Sequence, residues 1–133
     1  APTSQALGGG GAAFSQVVAG GGGHFAGMGA INGVPLAMMV DTGATDVSLS
    51  AATARQVGLD LRGGRMARTR TANGIIPVLL VSADSVTFAG QTVKGVSVDV
   101  RLGQQDPAVL LGMSFLQYFE MNIDGGVLSL RRK

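Results

Sequence analysis

The sequence predicts an all-β fold, a compact barrel or β-sandwich interrupted by two short helices. Three observations carry this. Apolar segments of four to nine residues alternate with turn signals at close spacing. Glycine-containing turns at Asn32-Gly33, Ala89-Gly90 and Asp124-Gly125-Gly126 each lie between two such segments. Val96, Val98 and Val100 repeat at the period of two that a strand requires.

Taken in order, residues 1–23 read as a flexible glycine-rich segment, because two four-glycine runs surround a short "SQVV" that has little to bury. The ordered domain is expected over residues 24–133. "HFAGMGAI" and "VPLAMMV" flank Asn32-Gly33, whose two positions both accept positive φ, and so form a hairpin. Ser50 is placed to cap a helix over "AATARQV", which Gly58 ends. "TRTANGIIP" reads as a further hairpin with Gly74 at its tip. "SADSVTF" and "TVKGVSVDV" pair across Ala89-Gly90, Ser114 begins a second helix over "SFLQYFE", and "FEMNI" pairs with "VLSL".

At 133 residues the chain fits one domain, large enough to bury a core without covalent staples. It has no cysteine, so disulfides and thiolate metal sites are excluded, and its single histidine, His24, cannot build a zinc site. The longest apolar runs, "VPLAMMV" and "IIPVLLV", fall far short of the roughly 18 residues of a membrane-spanning helix. Net charge is +2. The cations gather in "RGGRMARTR" and in the tail Arg131, Arg132, Lys133, without aromatic residues to stack on bases. Nucleic-acid binding is therefore disfavoured; the basic segment reads as solvated, with room to bias the charge of a substrate.

"LAMMVDTGATDVSLS" places Asp41 directly after an apolar strand, where an ionised carboxylate loses hydration unless something compensates it. Thr42 can hydrogen-bond backbone across a close interface, and Gly43 lets its N–H approach a carboxylate with no Cβ in the way. Such a turn holds an acid in place. The tripeptide alone is equally a common structural turn. Asp46, Asp60, Asp84, Asp99, Asp106 and Asp124 lack this setting and read as turn or surface acids.

The wider context resembles a known family. "VDTGATDVSLS" is similar to the active-site loop of retropepsin-like aspartic proteases, and "AVLLGMSFLQYFEMNID" is similar to their second hallmark, an apolar pair, a glycine and a short helix. The resemblance runs from Phe25 to about Leu130 and points to the bacterial single-domain group whose loop reads Asp-Thr-Gly-Ala. It implies a retropepsin-like closed barrel or β-sandwich with one lobe per chain and a flap hairpin. It also implies an aspartic endopeptidase with Asp41, Thr42 and Gly43 catalytic and Ala44, Asp46, Gly74, Ile75 and Ile76 in contact with substrate, needing no metal or cofactor. Two carboxylates sharing one proton can hydrolyse a peptide: the ionised one activates water and the protonated one polarises the carbonyl. This chain has one such loop, so the second Asp41 must come from another copy in a homodimer, with Thr42 of each chain bracing the pair.

Members of that group are often membrane-anchored with the protease domain facing the periplasm. The start at Ala1 with the small, polar "APTSQ" fits a removed signal or inner-membrane anchor. Two departures stand out. Ala44 replaces a residue whose hydroxyl could donate to the carboxylates, which favours a less acidic working range. Thr45 and Met113 replace an Asp and an Arg that pair in the retroviral enzymes, so no orphan charge remains. The expected partners are a protein or peptide substrate and a second copy, with no nucleic acid. The alternative function is a catalytically silent retropepsin-like module for binding or dimerisation, against which the intact Asp-Thr-Gly argues.

Overall fold

A computed structural model describes residues 24–71, 73–103 and 106–133 together with the backbone of Phe14–Val18. Ten strands and two short helices follow in the order β1 (Phe14–Val18), β2 (Ala26–Ile31), β3 (Val34–Val40), β4 (Val47–Ser50), α1 (Ala51–Gln56), β5 (Arg65–Thr71), β6 (Gly74–Phe88), β7 (Gln91–Arg101), β8 (Leu110–Leu111), α2 (Met113–Leu116), β9 (Phe119–Asp124) and β10 (Val127–Arg132).

The turn chemistry sets the hairpins. Asn32 and Gly33 take φ of 50° and 80°, and Ile31 pairs directly with Val34. Asn32 also works at longer range, since its Oδ1 accepts from the N–H groups of Asp84 and Ser85 and its own N–H donates to the Ser85 carbonyl. The β2–β3 hairpin is thereby fastened to β6. Ala89-Gly90 and Gly125-Gly126 reverse the chain in the same positive-φ manner. Ser50 caps α1, accepting from Thr53 N at 3.2 Å, and Gly58 follows the helix at φ 72°.

Seven strands form a mixed sheet in the order β2-β3-β8-β4-β7-β6-β5, and β2 pairs again with the far end of β6. The barrel alternative does not hold. The ladder thins to the single pair Ser48–Leu110 between β4 and β8, and to three pairs between β2 and β6, so the strands fold over as a sandwich. A second sheet, β1-β10-β9, covers the core with Leu128 and Leu130. Leu49, Phe88, Val98, Leu111 and Phe115 are fully buried between these layers, each contributing about 1.5–3 kcal/mol of transfer free energy.

Two expectations change here. Within residues 1–23, Phe14–Val18 is a strand: it pairs with β10 from Phe14–Arg131 to Val18–Val127. β10 needs a partner on that edge, and backbone pairing asks little of side-chain composition. The remainder of that segment lies outside the described residues. α2 is a single turn capped by Gly112, because Phe119 and Glu120 already belong to β9, whose pairing with β10 takes their backbone groups. The terminal strand β10 is bonded along both edges, and β9 holds the outer position with Met121 and Ile123 exposed.

Candidate active site

β3 delivers Asp41. Val40 N–H donates to Phe25 O at 2.8 Å and Asp41 N–H to Leu111 O at 3.1 Å, so the strand is fixed on both sides up to the acid itself. The chain then turns. Gly43 N–H donates to Asp41 Oδ1 at 2.9 Å, and Ala44 N–H to the Asp41 carbonyl at 3.1 Å. A Cβ at Gly43 would stand 3.3 Å from that carboxylate oxygen, tighter than ordinary contact. The carboxylate is thus oriented by its own loop, and its backbone amide donor compensates part of the lost hydration. Thr42 is exposed at the turn.

The Leu-Leu-Gly segment, 70 residues further on, holds this loop from behind. Met39 and Val40 pair in parallel with Leu110 and Leu111. The amides that open α2 then donate into the loop: Met113 N–H to Ala44 O and Ser114 N–H to Thr45 O, both at 2.8 Å. Where the retroviral pattern has a charged pair at Thr45 and Met113, this chain uses backbone hydrogen bonds. Ser114 Oγ accepts from Val47 N–H at 2.9 Å and donates to Ser97 O at 2.7 Å, locking β4 and β7 to the same turn.

A cavity of about 500 Å³ opens at Asp41, within the range of small-molecule and peptide pockets. Gly43, Ala44 and Thr45 form its floor and the β5–β6 hairpin its roof, through Arg70, Asn73 and Ile76. That hairpin reverses between Thr71 and Gly74, with Thr71 Oγ1 donating to Gly74 O at 2.9 Å and accepting from Asn73 N–H at 3.1 Å. Gly74 has φ 110° and open space around it, and Ile75 beside it is exposed. Of the residues named from the sequence, Asp41, Gly43, Ala44 and Ile76 meet at the cavity. Gly74 and Ile75 lie at the hairpin tip, and Asp46 is half-buried behind the loop.

The structure also brings in residues that the sequence reading passed over. Asp99, read as a turn or surface acid, is 3 % exposed on β7, and Arg101 and Ser48 are buried beside it. Ser48 Oγ donates to Asp99 Oδ1 at 2.5 Å, Arg101 Nη1 donates to Ser48 Oγ at 2.7 Å, and Arg101 Nη2 reaches the carbonyls of Asp106 and Ala108. All five line the cavity. β7 is covered on both faces, so the period-two pattern that puts Val96, Val98 and Val100 inside leaves Asp99 and Arg101 on a cavity wall and not in water. Two opposite charges two residues apart, beside an otherwise valine-rich run, were the available signal.

Burial pushes the Asp99 carboxyl above the ordinary carboxylate range, and the nearby Asp46 adds to this; the Ser48 hydrogen bond and Arg101 act the other way. An acid whose pKa is raised on folding does not weaken the fold while it is protonated in both states. Stability is lost as pH rises from the unfolded pKa, about 4, through the raised folded value. Asp99→Asn keeps an acceptor for Ser48 and removes the charge. Its melting temperature relative to wild type should climb across that window and stay level above it. Thermal melts at a series of pH values check this, and parallel curves would show that the carboxylate is not strained.

This fold and this loop define a class: a retropepsin-like aspartic protease fold with one Asp-Thr-Gly lobe. A family model described as "gag-polyprotein putative aspartyl protease" matches residues 28–118, and the chain belongs to that family. Among proteins of known sequence, it is 38% identical over 109 residues to an uncharacterized protein of Rickettsia prowazekii (strain Madrid E), covering 80% of this chain and 46% of that one. It is 32% identical over 99 residues to an uncharacterized protein of Sinorhizobium sp, covering 74% of this chain and 42% of the relative. The chain therefore spans less than half the length of these curated relatives. Among solved structures it is similar to a retropepsin-like aspartic protease from Rickettsia conorii, with TM-score 0.74, 34% identity, and 91% and 92% of the two chains covered. An inhibitor complex of EIAV protease shares the fold at TM-score 0.55 and 22% identity, covering 69% of this chain and 84% of that one.

Proposed function

We propose that this chain is an aspartic endopeptidase that works as a homodimer, the two copies each contributing Asp41. The observation that carries the reading is the carboxylate held at the mouth of the cavity by Gly43 N–H, in a loop braced by the second hallmark segment. In the paired site one carboxylate takes a proton from water as the oxygen attacks the scissile carbonyl carbon. The other, protonated, donates to the carbonyl oxygen. The resulting gem-diol collapses as the first carboxyl returns its proton to the leaving nitrogen while the other carboxylate takes a proton from a gem-diol hydroxyl, which breaks the C–N bond and leaves one proton shared by the pair. A single carboxylate cannot serve as acid and base at once, so one chain is half of the machinery. The similarity to the Rickettsia conorii protease supports the activity.

Two surfaces are available for the second copy: the Asp41 loop with Thr42 exposed, and the outer edge of β9 with Met121 and Ile123. The terminal strand β10 has no free edge for a second copy, since it pairs with β1 and with β9. The test mixes wild type with excess Asp41→Asn chains under exchange conditions and follows cleavage of a random peptide library by mass spectrometry. Heterodimers carry one carboxylate and one amide, so activity should fall well below simple dilution. Activity that tracks the amount of wild-type chain at every ratio, while tagged chains cross-link to one another, would reject the shared pair.

A further inference from the structure

The wall of the cavity holds a charge that the mechanism does not use. Asp99 is almost fully buried, yet among the described residues the one hydrogen bond its carboxylate receives comes from a neutral hydroxyl, Ser48 Oγ on Oδ1. Arg101 lies on the same strand, but its guanidinium is occupied by Ser48 Oγ and the carbonyls of Asp106 and Ala108, and among the described residues no ion pair joins Asp99 to a cation. No described side-chain polar atom that is fully buried lacks a hydrogen-bond partner. The second carboxylate oxygen, which receives no hydrogen bond from the described residues, is therefore not sealed in the core, and the space beside Asp99 is the cavity that it lines.

We propose that Asp99, positioned by Ser48 and Arg101, is a specificity subsite that takes a basic side chain, Lys or Arg, of a bound peptide. The assignment rests on reading the cavity at Asp41 as the peptide cleft. A carboxylate in a poorly hydrated wall is felt more strongly than one in water, and an incoming ammonium or guanidinium gives its open oxygen a charge-assisted hydrogen bond. An apolar side chain in the same place would seal that oxygen off without a partner. The other charged groups around it sort in the same direction. Asp46, in the loop before β4, is near enough to Asp99 to add to the negative field there. Asp106 contributes a second acid to the lining, while Arg70 is an exposed cation on the roof. Arg101 is the one buried cation among the described residues, and its Nη2 is engaged by two carbonyls, those of Asp106 and Ala108.

The experiment uses the full chain carrying Asp41→Asn, so that no peptide is turned over. Fluorescence polarisation measures binding of a labelled peptide series in which each position is varied among Lys, Arg, norleucine and Glu. At one position the basic residues should bind at least tenfold tighter than norleucine, and Glu weakest. Adding Asp99→Asn should erase that preference, whereas adding Asp106→Asn, at the second acid of the lining, should weaken it far less and leave the basic residues preferred. No basic preference at any position, no binding at all, or a preference that survives Asp99→Asn overturns the proposal. If Asp99→Asn proves unfolded by circular dichroism, the Asp106→Asn chain decides: a preference retained there supports Asp99, and one lost there overturns it. Hydrolysis of the same peptides by wild type is followed in parallel. Binding preference without hydrolysis would leave the subsite standing and remove the protease reading; hydrolysis indifferent to basic residues would do the reverse.

Discussion

Asp41→Asn is expected to lower peptide cleavage by more than about a hundredfold, the size of contribution usual for a group that transfers protons in the transition state. The substitution is isosteric. Asn can still accept Gly43 N–H through its Oδ1, so the loop keeps the hydrogen bond that orients the side chain. The backbone links from Asp41 to Leu111 and from Ala44 to Met113 involve no side chain of residue 41 and survive unchanged. What disappears is the capacity to hold or release a proton, in both halves of the proposed dimer at once. The check is cleavage of a peptide library by purified variant and wild type, beside circular dichroism and a thermal melt. Residual cleavage above about one hundredth of wild type, with the fold intact, would mean that Asp41 is not the acid–base group.

Gly112→Ala is expected to damage the fold itself, with activity lost as a consequence. Gly112 has φ −95°, which any residue can adopt, so backbone strain is not the reason for glycine here. The reason is contact. A Cβ at this position would overlap the carbonyl of Asp46 and come within 2.7 Å of the carbonyl of Ala44. Both neighbours are backbone in the Asp41 loop and cannot rotate away. Relief requires α2 to move off the loop, which breaks Met113 N–H to Ala44 O and Ser114 N–H to Thr45 O. Overpacking commonly costs about 1–3 kcal/mol, and the lost backbone bonds take this toward the upper end. For a chain of this size the melting temperature should drop by roughly 10 °C. Met113→Ala, at the neighbouring exposed residue, should change it little. An unaltered melting temperature in Gly112→Ala would show that the two hallmark segments are not packed as described.

The turns, the strand faces and the Asp41 loop were legible in the sequence because their physics is short-ranged. Asn32-Gly33 reverses the chain through its own φ angles, Ser50 caps α1 three residues away, and Gly43 N–H reaches Asp41 within its own turn. Each of these depends on neighbours that are written side by side. The Leu-Leu-Gly segment was readable as a motif, yet the hydrogen bonds that make it the brace of the Asp41 loop join residues about 70 positions apart.

Other features depend on what covers what, which no local pattern encodes. Phe14–Val18 sits between glycine runs and looks like linker, and it becomes a strand because β10 offers it a backbone edge more than a hundred residues later. Asp99 occupies the polar half of an alternating pattern, which ordinarily means solvent. Pairing of β7 with β4 and β6, and the Asp41 cavity on that face, turn this position into a buried acid whose donor, Ser48, lies 51 residues earlier. The same packing separates it from an ion pair by directing Arg101 to the carbonyls of Asp106 and Ala108. A residue's outward direction on a strand follows from the period of two, but whether that direction meets water, a core or a cleft follows from the elements folded against it.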